Sequence, residues 1–248
     1  GFNTQGVVRF NNMFKNCSAL RTIFASELFT TAAADVTEQM FYGCNALVGS
    51  YGTAHAEYFD HTAACARLDS PGVPGYFSRL AVAVYSAAHA TLTFYADGQT
   101  HSDEGVVYPI ADAEAVAPDE CPPWYEDCRN AVTNVVFDPS FAACRPSHCG
   151  GWFRDFKLLS AVNGLEYLDV SRATSLAYMF KSCKELTYLD LTGFDTANVT
   201  DMRGMFEDCS SLTTLDVSGF DTANVTDMYG MFYGCSSLEA ICASDRFV

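Results

Sequence analysis

Hydrophobic residues recur with a period of 26 residues over the C-terminal third of the chain. The segments 186–211 and 212–237 agree at 20 positions, a shortened copy occupies 165–185, and a further copy begins at Leu238. A period in this range is typical of repeat proteins, in which each copy buries its apolar face against its neighbours. The copies are therefore expected to share one continuous core.

Each copy combines two patterns of hydrophobic and polar residues. Leu212, Leu215 and Val217 are spaced like a short strand whose alternate side chains face inward. The second pattern has apolar residues three or four positions apart, as on one face of a helix: Val225, Met228, Phe232 and Cys235. We therefore predict an α/β fold, a leucine-rich-repeat solenoid with one short strand and one short helix in each repeat.

The same motif occurs near the N-terminus. The sequences MFKNC (13–17) and MFYGC (40–44) match MFYGC at 231–235. We therefore predict two partial arrays, with residues 1–46 as the last coils of the first and residues 165–248 as a second array that lacks a closing cap. Because an uncapped end exposes apolar core, self-association through the C-terminal end is expected.

The middle of the chain, residues 47–164, is predicted to be a junction that caps one array and opens the next. Thr91–Tyr95 and Val106–Ile110 have the composition of strands, and the polar segment between them contains Asp97-Gly98, which favours a β-hairpin. Residues 111–123, with the sequence ADAEAVAPDECPP, predict an exposed acidic loop.

Composition and charge narrow the classes of partner. Hydrophobic residues at 49% and aromatic residues at 14% are enough for a packed core. The formal net charge of −16 repels phosphate backbones and anionic lipid, so no nucleic-acid partner and no membrane insertion are expected, and a basic protein partner suits the charge. The chain starts without an initiator Met or the segments of a signal peptide, as expected of a fragment of a longer protein.

The cysteines form two groups. Cys183, Cys209 and Cys235 recur at the repeat period, and we predict that they are buried thiols, because a straight row does not converge as zinc ligands must. The second group consists of Cys121, Cys128, Cys144 and Cys149 beside His148, with spacings wider than those of zinc fingers. One or two disulfides among these four cysteines are favoured over a zinc site, with unpaired thiols as the remaining alternative. No metal or other cofactor is predicted.

The residues between the inward-facing leucines are predicted to form a binding surface on the outer face of the repeats. Tyrosine offers a large contact area and aspartate attracts a basic segment of a partner. The alternative is a solvated face that favours solubility. A calcium site is disfavoured, since a straight row of carboxylates does not converge on one ion. The surface consists of Tyr167, Asp169 and Ser171, then Tyr188, Asp190 and Thr192, then Thr214, Asp216 and Ser218.

Catalysis finds little support in the sequence. Cys65 lies near His61, and Cys149 adjoins His148, but neither pair has the surroundings of a known nucleophilic site. A glycine-rich phosphate loop and an HExxH motif are both missing. We therefore predict that the protein is not an enzyme.

The phrases GFDTANVTDMxGMF and GCSSL, with the PGYF and FDPSF segments, resemble the BspA-type leucine-rich-repeat surface proteins of bacteria. The likeness covers residues 7–46 and 165–248. It implies a secreted or cell-surface protein that adheres to host or matrix proteins, and it implies no catalytic residues. The alternative is a structural spacer that has no ligand site of its own.

Overall fold

A computed structural model describes residues 4–21, 23–25, 29–34, 38–49, 66, 77–78, 81–99, 101–110 and 121–248. The chain divides into two compact units. The first comprises Gly1–Ala81 with Ala96–Thr100, and the second comprises Val82–Tyr95 with His101–Val248. The acidic loop predicted at 111–123 lies outside the described residues up to position 120.

In the first unit, the two N-terminal repeats lie side by side. The Phe14 backbone N–H donates to the Met40 carbonyl oxygen at 2.9 Å. The rings of Phe14 and Phe41 stack with their centroids 5.6 Å apart. Strand β1 (Ile23–Phe24) runs parallel to strand β2 (Phe77–Ser78). Backbone bonds and ring stacking at matching positions therefore hold this pair of repeats together.

The second unit contains a five-stranded mixed sheet in the order β5-β3-β4-β6-β7. Strands β3 and β4 are antiparallel, whereas β4 with β6 and β6 with β7 are parallel. The strands are β3 (Ala81–Ser86), β4 (Thr91–Tyr95), β5 (Val106–Ile110), β6 (Asn134–Phe137) and β7 (Ala161–Asn163).

The hairpin predicted between β4 and β5 is wrong, although both strands have the predicted bounds. Strand β3 lies between them, and the antiparallel hairpin joins β3 to β4. The backbone of Gly105 approaches the carbonyl oxygen of Tyr85 so closely that a Cβ atom at this glycine would collide with it. A glycine is therefore needed where the chain enters β5 beside β3.

An aromatic cluster forms the core beneath this sheet. The Phe94 ring stacks on Phe137 with centroids 4.6 Å apart and on Trp152 at 5.4 Å. The indole Nε1–H of Trp124 donates to the Trp152 carbonyl oxygen at 2.8 Å, which satisfies a buried polar group. Two short segments frame the cluster, the helix α1 (Tyr125–Cys128) and a 3-10 helix (Pro139–Ala143).

Successive repeats of the second unit continue this core as a stack of phenylalanine rings. Phe153 lies 5.4 Å from Phe180, Phe180 lies 6.0 Å from Phe206, and Phe206 lies 5.8 Å from Phe232. Phe180 and Phe206 are fully buried. The repeat period thus places one ring on top of the next.

The helix predicted in each repeat is wrong, because the segment is a series of tight turns. Gly204 has φ 56° and Asp208 has φ 59°, and left-handed residues four positions apart cannot belong to an α-helix. Alternate N–H groups donate to the next repeat, as from Phe206 to the Met231 carbonyl oxygen at 3.0 Å. The groups between them close turns, as from Met205 to Met202 at 3.2 Å.

The predicted α/β leucine-rich-repeat solenoid with a strand and a helix in each repeat is therefore not supported. The described part of the chain has mixed sheet and one α-helix, α1, which has four residues and lies outside the repeats. Within the repeats of the second unit, β8 (Thr214–Asp216) runs parallel to β9 (Ala240–Cys242), and a 3-10 helix (Leu165–Tyr167) occupies a predicted strand position.

Candidate functional site

The residues proposed as a binding surface face solvent in the second and third copies of the repeat. Tyr188 is 66% exposed, whereas Leu189 beside it is 4% exposed. The remaining members in these copies are also exposed: Asp190, Thr192, Thr214, Asp216 and Ser218. In the first copy, Tyr167, Asp169 and Ser171 are half-buried.

The aspartates of this surface stabilise the turn that follows each of them. Asp190 Oδ1 accepts the hydroxyl of Thr192 at 2.7 Å and the backbone N–H of Thr192 at 3.1 Å. Asp216 Oδ1 accepts the backbone N–H of Ser218 at 2.9 Å. These bonds favour the carboxylate form and lower the pKa of both groups, first through the side-chain bonds from Thr192 and Ser218. Both carboxylates are therefore negatively charged, and Oδ1 of each already accepts hydrogen bonds within its own turn.

We expect Thr192→Val to raise the pKa of Asp190 toward its ordinary value of 3.8. Because the folded-state pKa of Asp190 is depressed, its contribution to stability is present above that value and is lost as the pH falls through the folded-state pKa. A carbon-13 NMR titration of the carboxyl groups measures the pKa, and urea unfolding at several pH values measures the contribution to stability. Asp216 serves as the internal control and should be unchanged, and an unshifted Asp190 in Thr192→Val would contradict the assigned cause.

An open cleft of about 460 Å³ lies beside the first copy of the repeat in the second unit. The 3-10 helix that begins at Leu165 carries part of its wall, and this helix follows Gly164, whose φ is 72°. The polar lining includes three members of the predicted surface and three further residues: Tyr167, Asp169 and Ser171, with Arg145, Glu166 and Asp195. The other predicted surface residues do not line this cleft.

The cleft lining has more negative than positive side chains. Arg145 Nε lies 2.8 Å from Asp169 Oδ2, so the one guanidinium neutralises one carboxylate. Asp169 Oδ1 also accepts the backbone N–H of Ser171 at 3.0 Å, which fixes its orientation. Glu166 and Asp195 are exposed carboxylates without an ion pair to a lysine or arginine among the described residues. The cleft therefore favours a cationic group placed beside a tyrosine.

The periodic cysteines are part of the core. Cys183 Sγ donates to the Phe153 carbonyl oxygen at 3.2 Å, and Cys209 Sγ donates to the Phe180 carbonyl oxygen at 3.0 Å. Burial raises the pKa of the Cys209 thiol to about 12, so the nucleophilic thiolate is disfavoured. The prediction of buried thiols is confirmed for Cys183 and Cys209, while Cys235 is half-buried.

The cysteines of the second group differ in exposure. Cys121, Cys128 and Cys149 are free thiols, of which Cys121 is exposed and the other two are buried, and Cys144 is buried. His148 Nδ1 accepts the backbone N–H of Gly150 at 3.1 Å, and burial lowers its pKa. Across the residues that the structure describes, no cluster of His, Cys, Asp or Glu is arranged to hold a metal ion.

Two further observations bear on function. The Cys65 and His61 pair lies outside the described residues. Among the helices of the described ranges, none has the length and apolar character needed to cross a bilayer.

A comparison with models of protein families finds a match over two segments of the chain. Residues 1–64 and 148–245, more than half of the 248 residues, match the model of a family described as Mycoplasma protein of unknown function, DUF285. A search of curated proteins and a search of solved structures both find no match.

Proposed function

The chain belongs to the DUF285 family, and we propose that it is a non-enzymatic binding module, secreted or displayed at the cell surface, that adheres to a host or matrix protein. The proposal includes membership of the BspA type, for which the GFDTANVTDMxGMF phrases are the support. The observation that carries the binding role is the acidic cleft beside Tyr167.

The chemistry of the cleft suits a lysine or arginine side chain of the partner. Glu166 and Asp195 supply negative charge that Arg145 leaves uncompensated, because Arg145 lies against Asp169. Tyr167 adds an aromatic surface on which an aliphatic stem or a guanidinium can pack. A partner with a basic segment would also be steered by the net charge of −16.

We expect Glu166→Lys to weaken binding to immobilised extracellular-matrix proteins by about tenfold or more, which corresponds to about 1.4 kcal/mol. The substitution replaces an exposed carboxylate of the cleft with a charge that repels a basic segment. Biolayer interferometry at physiological ionic strength measures the affinity, with an arginine-rich peptide as a soluble competitor.

The matched control is Asp245→Lys, which makes the same change of charge at an exposed position outside the cleft lining. Equal losses of affinity in Glu166→Lys and Asp245→Lys would show a general effect of charge. The cleft would then be ruled out as the binding site. If Asp190→Lys lost affinity and Glu166→Lys did not, the partner would instead contact the exposed surface of tyrosines and aspartates on the repeats.

The second candidate is a structural spacer, and the near-identity of neighbouring repeats favours it. Segments 186–211 and 212–237 agree at 20 positions, whereas a specific contact surface usually requires variation between copies. Saturable binding by the isolated chain that Glu166→Lys weakens would exclude a pure spacer. A chain without saturable binding to any of the matrix proteins would favour it.

A further inference from the structure

The first copy of the repeat in the second unit is shorter than its neighbours by one turn. This turn has the sequence GFDTA at 193–197 and again at 219–223. In the first copy the chain passes directly from Ser171 to Arg172, so no residue corresponds to the turn. The acidic cleft lies at this place, because its lining includes Ser171 and also Asp195, which belongs to the turn of the next copy.

The hydrogen bonds between copies keep their register across this omission. Asn224 Nδ2 donates to the carbonyl oxygen of Ala197, the last residue of the turn, at 2.7 Å. One copy earlier, Asn198 Nδ2 donates to the carbonyl oxygen of Ser171 at 2.7 Å. Ser171 thus takes the place of the last residue of the turn, and the stack continues without a shift. The space beside Ser171 and Asp195 that the turn would occupy is called the turn gap.

Where the turn is present, its threonine binds the next copy through both functions of its hydroxyl. Thr196 Oγ1 donates to the carbonyl oxygen of Asp221 at 2.9 Å and accepts the backbone N–H of Asp221 at 2.8 Å. The first unit contains the same arrangement, in which Thr4 Oγ1 donates to the carbonyl oxygen of Thr30 and accepts its N–H, both at 2.7 Å. A hydroxyl is needed for this contact, because it donates and accepts at one oxygen atom.

Asp195 occupies the same position of its copy as Asp221, but it faces the turn gap. In the described part of the chain, its backbone N–H and carbonyl oxygen form no hydrogen bond, since the threonine that would bind them is missing. The carboxylate of Asp195 is exposed at the same place. The turn gap therefore presents a backbone donor, a backbone acceptor and a negative charge together.

We propose that the adhesion partner fills the turn gap with a turn of its own, in which Ser or Thr directly follows Lys or Arg. The hydroxyl would bind the backbone N–H and carbonyl oxygen of Asp195, as Thr196 binds Asp221. The basic residue would take the position of the aspartate in GFDTA and lie beside the Asp195 carboxylate, in a cleft that Glu166 also lines. This inference rests on the proposed binding role of the cleft and adds the sequence that the partner presents to it.

Charge explains why the turn of the partner differs from GFDTA. Asp195 and Asp221 occupy the same position of neighbouring copies, so the stack already places like charges in one row. A further aspartate from the partner would add repulsion to this row, whereas Lys or Arg would offset it. The turn gap therefore favours a positive charge and a hydroxyl on consecutive residues.

The test uses four pentapeptides blocked at both ends as probes: GFRTA, GFRSA, GFRVA and GFDTA. Amide chemical shifts of the isotope-labelled chain report where each peptide binds. GFRTA and GFRSA should shift the Asp195 amide saturably, and GFRVA should bind at least about fivefold more weakly, because it loses both bonds of the hydroxyl. GFDTA should also bind more weakly than GFRTA, because its aspartate meets Asp195. The Asp221 amide is the internal control, since it already donates to Thr196 Oγ1.

A variant that restores the missing turn gives an independent test. Insertion of GFDTA between Ser171 and Arg172 would place a threonine of the chain itself against Asp195. This variant should no longer bind GFRTA, and its affinity for matrix proteins should fall by about tenfold or more. Near-ultraviolet circular dichroism establishes whether the variant is folded, and the peptide series on the parent chain does not depend on it.

Three results would overturn the inference. They are equal affinities of GFRTA and GFRVA, an Asp195 amide that no peptide shifts, and a folded insertion variant that binds GFRTA like the parent. If the chain adhered and Glu166→Lys weakened it while GFRTA and GFRVA bound equally, this inference would fail and the proposed adhesion would stand. If the peptides bound as expected and the chain did not adhere, the recognition sequence would stand and adhesion to matrix proteins would fail.

Discussion

Replacing Phe206 with alanine is expected to lower the free energy of unfolding of the second unit by about 3–5 kcal/mol. The Phe206 ring is fully buried, and its two faces stack on Phe180 at 6.0 Å and on Phe232 at 5.8 Å. Truncation removes buried apolar surface, leaves a cavity and breaks both ring contacts in the middle of the stack.

Urea unfolding followed by tryptophan fluorescence measures this loss. The chain has two tryptophans, Trp124 and Trp152, and both belong to the second unit, so the signal reports on that unit alone. Tyr229→Ala is the matched control, because Tyr229 is 82% exposed and should change stability by less than about 0.5 kcal/mol. A loss below about 1 kcal/mol in Phe206→Ala would mean that the stack contributes little.

The second large effect is expected from Gly164→Ala, at about 2 kcal/mol or more. Gly164 has φ 72°, where a residue with a Cβ atom is strained, and that atom would collide with the carbonyl oxygen of Phe137. Phe137 lies in β6 in the middle of the aromatic core, so it has little room to move away. The strain and the collision both destabilise the same turn.

Gly219→Ala is the control for this substitution. A Cβ atom at Gly219 would meet one neighbour, the Thr192 carbonyl oxygen, at the ordinary contact distance of 3.7 Å. The change should therefore lie within about 0.5 kcal/mol of zero in the same unfolding experiment. Equal effects in the two variants would show that backbone conformation at Gly164 does not limit stability.

The repeat period predicted the core well because the same positions of every copy carry apolar residues that must be buried. Leu212, Leu215 and Val217 were predicted to face inward, and all three are buried. Successive side chains of an extended segment point to opposite faces, so alternating apolar residues predict which side chains are buried. This holds even where the backbone does not form the hydrogen bonds of a strand. Strand β8 is in fact limited to Thr214–Asp216.

The helix was predicted mainly from the spacing of apolar residues, and this spacing does not distinguish a helix from consecutive tight turns. The sequence did carry a second signal, since Gly204 and Gly230 share one position of the repeat and Asp208 and Gly234 share another. Glycine and aspartate tolerate left-handed backbone. Tyr178 occupies the first of these positions with φ 58°, which shows that the backbone, rather than the residue type, determines the conformation.

The acidic cleft was only half predictable. Asp169 belongs to the repeat pattern. Arg145 precedes the first copy (165–185) in the sequence and reaches the cleft through packing between segments distant in sequence. Periodicity describes what neighbouring copies share, so it carries no information about a contact made once. Glu166 and Asp195 were overlooked because they lie outside the alternating positions.

The main-chain bonds between repeats have an evolutionary consequence. The N–H groups of one copy meet the carbonyl oxygens of the next at the same positions, and the buried thiols and rings repeat with them. Gain or loss of a whole repeat, as by unequal recombination between near-identical gene segments, would preserve every such contact, whereas a change of length inside one tight turn would shift the donors away from their acceptors. Selection on this architecture is therefore expected to leave family members that differ in length by whole units.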